Sequence, residues 1–257
     1  MPAVTTERVV KELAARAPRA GVFLDLDGTL APIVPRPELT RIPPEIRPTL
    51  RRIARRLEIV AVISGRPSHQ VRQLVDLGDV ATVGTHGLED EPPMAPEILA
   101  EIEAAAAAVG AWVEPKGAAA AVHFRGLEDP EAAETASVGA LAAIATAHGL
   151  EIVPGKRILE LMPAGRPRKG GAVERIARER ELRGVLFAGD DVGDLDAFAA
   201  LRRLRGDGLW TCGVVARAAE TPREVEAAAD LIVQGTDGIA ALLGALADEL
   251  ERAGSAP

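Results

Sequence analysis

The chain has 257 residues, enough for one large domain or two modest ones, and its 47% hydrophobic and 26% charged residues exclude a disordered polymer. A formal charge of −8 argues against a nucleic-acid-binding or anionic-membrane surface. The single cysteine, Cys212, excludes an intramolecular disulfide and a cysteine-based zinc cluster; with no signal-like h-region and no membrane-length apolar run, the expectation is a soluble cytoplasmic protein.

Val9, Val10 and Leu13 are spaced for an amphipathic helix ending near Pro18, and Val22-Phe23-Leu24 follows as a short strand. Residues 44–57 repeat with helical period, Ile59 to Ile63 reads as a strand, Pro67 to about Leu77 as a helix, and Val80 to Val83 as a third strand. This alternation is the signature of βαβ units and a parallel sheet. After Glu91-Pro92-Pro93 the rhythm changes. An Ala-rich helix (about Pro96 to Val109), strand-like runs around Trp112 and Ala120–Phe124, and a helix from about Pro130 to His148 precede Ile152-Val153 and Ile158-Leu159, which flank Pro154-Gly155-Lys156. These predict a small antiparallel sheet layered with two helices. The α/β rhythm then resumes with a helix near Gly171–Arg180, strands at Val185–Phe187, Cys212–Val215 and Leu231–Val233, and a helix from Gly238. The chain thus divides into an α/β core, residues 1–92 and 165–257, and an inserted module at 93–164.

Three core strands run into polar residues. Leu24 is followed by Asp25, Ile63 by Ser64, and Phe187 through Ala188-Gly189 by Asp190. Continuously apolar strands are covered on both faces, and in a parallel sheet their carboxyl ends share the edge where α/β proteins bind ligands. Asp25-Leu26-Asp27-Gly28-Thr29 and Gly189-Asp190-Asp191-Val192-Gly193-Asp194 therefore bring five carboxylates to one edge, where they repel unless a cation joins them. Oxygen ligands without sulfur point to Mg²⁺, which also accepts substrate phosphate as a ligand.

Asp25-Leu26-Asp27-Gly28-Thr29-Leu30, Ser64-Gly65-Arg66, Lys169-Gly170 and Gly189-Asp190-Asp191 occur in the order of the four motifs of haloacid dehalogenase (HAD) phosphatases, which the chain resembles. Gly84-Thr85-His86-Gly87-Leu88-Glu89, Glu114-Pro115-Lys116, His123-Phe124-Arg125 and Glu160-Leu161-Met162-Pro163 narrow the resemblance to the trehalose-6-phosphate phosphatase family. The resemblance implies a Rossmann-like core with a parallel sheet flanked by helices, plus an inserted α/β cap. It implies Asp25 as nucleophile, Asp27 as general acid and base, and Thr29, Ser64 and Lys169 on the phosphoryl oxygens. Mg²⁺ would be held by Asp25, the Asp27 carbonyl and Asp190, with Asp191 and Asp194 orienting its waters.

The cap would read the sugar of a small-molecule sugar phosphate through Glu114, Lys116, His123, Arg125 and Glu160, with Arg66 and His86 contributing from the core edge. Only four of the 30 basic residues are lysines, and three of them, Lys116, Lys156 and Lys169, lie in these segments. Lys156 reads as a hairpin-tip charge outside the site. His69 and His148 read as exposed, Cys212 as a buried small hydrophobe. Gly193 and Leu195 stand where the family commonly has Thr and Glu, which leaves another glycosyl phosphate, of glucosylglycerol or sucrose type, as the alternative substrate.

Overall fold

The computed structural model describes residues 4–85, 91–165 and 168–254. Strands β1 (Ala20–Leu24), β2 (Ile59–Ile63), β3 (Ala81–Val83), β8 (Gly184–Gly189), β9 (Trp210–Arg217) and β10 (Leu231–Gln234) form one sheet in the order β10-β9-β8-β1-β2-β3. Every pairing is parallel. The period-2 alternation of β1, β2 and β8 splits their side chains between two cores. Val22, Leu24, Val60, Val62 and Leu186 face one layer, and Phe23, Ile63, Val185 and Phe187 face the other.

Helices α1 (Thr6–Ala14), α2 (Ile46–Ala54), α3 (Ser68–Val75) and α9 (Gly235–Gly254) cover the first layer. Helices α6 (Lys169–Glu179), α7 (Leu195–Gly206) and α8 (Arg223–Ala228) cover the second, where Phe198 of α7 meets Phe187 edge-on at 5.6 Å. Helix α1 stops at Ala14 rather than near Pro18, because the chain must turn before β1 begins at Ala20, and a residue before proline disfavours helical backbone. Helix α7 lies where the sequence reading places no helix. Asp191 and Asp194 form a capping box over a 3₁₀ turn at Val192–Asp194, and the helix continues directly from it.

The insert between β3 and α6 carries α4 (Pro96–Ala107), α5 (Pro130–His148) and strands β4 (Trp112–Lys116), β5 (Ala119–His123), β6 (Leu150–Gly155) and β7 (Ile158–Pro163). The strands pair antiparallel in the order β4-β5-β7-β6. Pro115 and Pro154 both fall on edge strands, where a missing N–H costs no ladder bond. One face of this sheet packs Val122, Leu159 and Leu161 against Ile102 of α4 and Leu141 of α5. The architecture is therefore a Rossmann-like parallel core with an inserted α/β cap. Cys212 is buried, and His69 and His148 are exposed, as expected. Among the described residues no helix is long and apolar enough to cross a membrane.

Candidate active site

Strand order reverses its direction of growth at β1: the chain adds β2 and β3 on one side, then β8, β9 and β10 on the other. That switch point opens a crevice at the carboxyl ends of β1 and β8. Asp25 stands at its base, its N–H donating to the Ala188 carbonyl at 2.8 Å. Asp190 follows β8 and is fully buried. Gly28 turns the chain back between them at φ +94°, and a Cβ there would lie 2.0 Å from Asp190 Oδ2, so only glycine lets the two acidic segments meet.

Lys169, the first residue of α6, reaches over the crevice. Its Nζ donates to Asp25 Oδ1 and Asp194 Oδ1, both at 2.6 Å. Gly170 makes this approach possible, because a Cβ would sit 2.4 Å from the Asp196 carbonyl oxygen in the first turn of α7. Asp194 Oδ2 accepts from the backbone N–H groups of Asp190 and Asp191 at 2.8 and 3.1 Å. Asp194 thus ties the lysine to the loop after β8.

Asp25, Asp190 and Asp194 each offer a carboxylate oxygen within 4.8 Å of the others. Burial lifts Asp25 well above the ordinary carboxylate range; Lys169 opposes this, and Asp194 and Asp190 add to it. Burial likewise lifts Asp190 to about 6, with Lys156 opposing and Asp194 adding. Burial works against the Lys169 ammonium, but Asp194 and Asp25 outweigh it and hold its pKa above the ordinary lysine value. The carboxylates of Asp25, Asp190 and Asp194 contact two ammonium groups, of Lys156 and Lys169, and Asp191, bonded to the Lys156 backbone N–H, brings the carboxylates to four, two more than the ammonium groups. One divalent cation balances that excess, and an all-oxygen donor set fits Mg²⁺.

A chamber of about 110 Å³ lies against Asp25, Asp27, Ser64 and Lys169, with Lys116 and Glu160 of the cap on its far wall. Asp27 is held from the side: Arg66 Nε and Nη2 grip its carboxylate at 2.6 and 2.8 Å, and the Thr40 hydroxyl donates to it at 3.2 Å. A second chamber of about 140 Å³ adjoins, lined by Asp27, Arg66, Glu114, Lys116, His123 and Arg125 among others. Glu114, Lys116, His123 and Glu160 share the cap-sheet face opposite its apolar core. Lys116 Nζ donates to Glu160 at 2.6 Å, and His123 Nε2 donates to Glu114 at 3.0 Å. This His123 hydrogen bond, with Lys116 and Arg66, outweighs burial and holds the Glu114 carboxyl below its ordinary range.

Some residues stand in other relations than the sequence reading gives them. Thr29 is fully buried, and its hydroxyl donates to Asp190 Oδ1 at 3.1 Å rather than lining the chamber, so it orients a carboxylate. The guanidinium of Arg66 is committed to Asp27, Thr40 and the Pro37 carbonyl. Arg125 spans cap and core, donating to the Lys156 carbonyl at 3.0 Å and to Glu220 at 3.4 Å. His86 lies outside the described residues. Lys156, which the sequence reading leaves out, contacts Asp190 with its ammonium and donates its backbone N–H to Asp191 Oδ2 at 3.0 Å. The rarity of lysine in an Arg-rich chain was the available signal. Thr40 carried none, because nothing local marks it as the partner of both Asp27 and Arg66.

A sequence model of the trehalose-phosphatase family matches residues 23–230. The chain belongs to that family. A probable trehalose-phosphate phosphatase of Sinorhizobium fredii is 31% identical over 200 residues, covering 72% of this chain and 75% of that protein. An uncharacterized glycosyl hydrolase of Mycobacterium tuberculosis is 35% identical over 207 residues, 72% of this chain, and the chain spans only 15% of that relative's length. The fold matches the C-terminal domain of the Candida albicans trehalose-6-phosphate phosphatase at a TM-score of 0.79 and 18% identity, covering 96% of this chain and 98% of that one. Trehalose-phosphatase family membership thus agrees with a parallel core whose acidic edge is roofed by a cap.

Proposed function

We propose that the protein is a Mg²⁺-dependent phosphatase that hydrolyses trehalose 6-phosphate to trehalose and phosphate through an aspartyl-phosphate. The observation that carries this reading is the Asp25 carboxylate at the strand end, 2.6 Å from the Lys169 ammonium and sharing a phosphate-sized chamber with Asp27. Asp25, Asp190 and the Asp27 carbonyl would hold the metal, with Asp194 and Asp191 behind them. When bound, the metal supplies positive charge to the phosphoryl oxygens.

In the first half-reaction an Asp25 oxygen bonds to phosphorus while the bond to the sugar oxygen breaks. Asp27 gives that oxygen its proton, for which its side chain leaves the Arg66 fork. In the second half Asp27 takes a proton from water, the water oxygen attacks phosphorus, and phosphate leaves as Asp25 is restored. Lys169 and Ser64 hold the equatorial oxygens, where charge accumulates. Residues 93–164 act as the cap that excludes water and reads the sugar. A cytoplasmic location with no nucleic-acid partner fits the net charge of −8 and the single cysteine.

Phosphate release from a panel of trehalose 6-phosphate, sucrose 6-phosphate, glucosylglycerol phosphate and p-nitrophenyl phosphate tests the substrate. The highest kcat/KM is expected for trehalose 6-phosphate, and a preference for either of the other glycosyl phosphates replaces it. Asp190→Ala is expected to raise the Mg²⁺ concentration for half-maximal activity by at least about tenfold, the lower range for disturbed metal environments. Full activity of the wild type in EDTA refutes the metal requirement. Glu114→Ala removes a hydrogen-bonded charge from the sugar chamber, so kcat/KM for trehalose 6-phosphate is expected to fall roughly 10–150-fold relative to p-nitrophenyl phosphate. An unchanged ratio assigns Glu114 to the cap's fold or closure.

A further inference from the structure

We infer that Trp112 is the platform for the part of the substrate farthest from the phosphate, a second sugar ring; the inference rests on the sugar-phosphate reading above. Alternation along β4 puts Trp112, Glu114 and Lys116 on one face of the cap sheet, and Trp112 pairs across the ladder with His123. This is the face that closes on the active site. Lys116 sits at its inner end beside the phosphate chamber. Trp112 sits at its outer end, about 13 Å farther along at the strand rise per residue. A single phosphorylated hexose is too short to touch both ends.

A lone exposed hydrophobic residue needs no explanation in itself. Trp112 differs in how it is held. Its ring stacks flat on His123, with centroids 3.9 Å apart and planes 5° apart, and His123 is tied by hydrogen bond to Glu114. One face of the indole is thereby used and its orientation fixed, while the residue stays 42% exposed. A flat apolar surface held rigid before the ligand arrives loses little entropy on binding.

The stack separates two cavities. The 140 Å³ chamber is lined by His123 and not Trp112; a 430 Å³ cavity is lined by Trp112 and not His123. Arg125 and Pro35 line both and connect them. The outer cavity adds Glu38 and Arg36 around the indole. An apolar plate rimmed by a carboxylate and guanidinium groups suits a pyranose, whose ring face carries C–H groups and whose edge carries hydroxyls.

Two measurements test the assignment. The only other tryptophan, Trp210, lies under the Arg16 guanidinium at 5.3 Å, so Trp210→Phe leaves Trp112 as the sole indole. Titrated in EDTA, that variant is expected to show a saturable fluorescence change with trehalose 6-phosphate and with trehalose, and none with glucose 6-phosphate. If Trp210→Phe fails to fold, the same signal is read as the difference between wild type and Trp112→Phe. In steady state, Trp112→Ala is expected to lower kcat/KM for trehalose 6-phosphate about tenfold relative to glucose 6-phosphate, the scale of an aromatic contact plus its buried area, and Trp112→Phe to restore most of it. Equal losses on both substrates mean that Trp112 only props His123, and overturn the inference; so does no change on either, or an indole that does not respond to trehalose. A wild type that releases phosphate from no sugar phosphate instead fails the phosphatase reading, and the trehalose titration still decides the platform.

Discussion

Asp25→Asn is expected to abolish turnover, lowering kcat at least about a thousandfold, while leaving the fold intact. An amide cannot form the acyl phosphate, yet it fills the same space at the end of β1. Its stability is the informative control. Burial raises the pKa of Asp25 above that of the unfolded chain, so keeping the carboxylate charged at neutral pH opposes folding. Lys169 keeps Asp194 as a partner at 2.6 Å after the substitution. The melting temperature of Asp25→Asn in metal-free buffer is therefore expected at or above that of the wild type. A variant keeping more than a few per cent of wild-type kcat, with deamidation excluded by mass spectrometry, sinks the nucleophile assignment.

Lys169→Met is expected to damage both chemistry and stability. The ammonium is buried between Asp25 and Asp194 with both contacts at 2.6 Å, and a methionine of similar length leaves two buried carboxylates facing each other with Asp190 nearby. Breaking a buried pair from one side costs about 3–5 kcal/mol. Turnover should fall with it, because the phosphoryl oxygens lose their fixed positive charge. Combining Lys169→Met with Asp25→Asn removes one of the stranded charges, so the double variant should melt above the single Lys169→Met variant. Strictly additive melting shifts would mean that Lys169 and Asp25 are not coupled, contrary to their contact.

The Lys169 contacts also show why the site has to be assembled by folding. Asp25 and Lys169 are 144 positions apart, Thr29 and Asp190 are 161 apart, and Arg66 lies 39 from Asp27. No local pattern encodes which of several carboxylates each cation or hydroxyl reaches. The assignment of Thr29 to Asp190 and of Arg66 to Asp27 follows from the turn at Gly28 and the crossover from β1 to β2, which carry those side chains to their partners.

What the sequence determined by itself is what local chemistry repeats. Strands buried on both faces are apolar along their length, so Val22-Phe23-Leu24, Ile59 to Ile63 and Val185-Leu186-Phe187 announced a parallel sheet, and the residues after them announced its functional edge. Polar His123 and Arg125 flank apolar Phe124 with the period-2 alternation of a strand, so a polar face on the insert is legible in the sequence as well. Helix α7 has helical spacing in its buried Phe198, Leu201 and Leu204, yet its start carries no mark in the sequence, because it continues directly from the acidic 3₁₀ turn without a side-chain cap of its own. Only the tertiary structure decided that Lys156 meets Asp190 and that Trp112 stacks on His123. The first contact needs the β6–β7 hairpin of the cap to reach across to the core, and the second needs the register that sets β4 against β5. The first depends on how the cap docks on the core and the second on cross-strand register, and both are set by contacts between elements rather than by the residues within one.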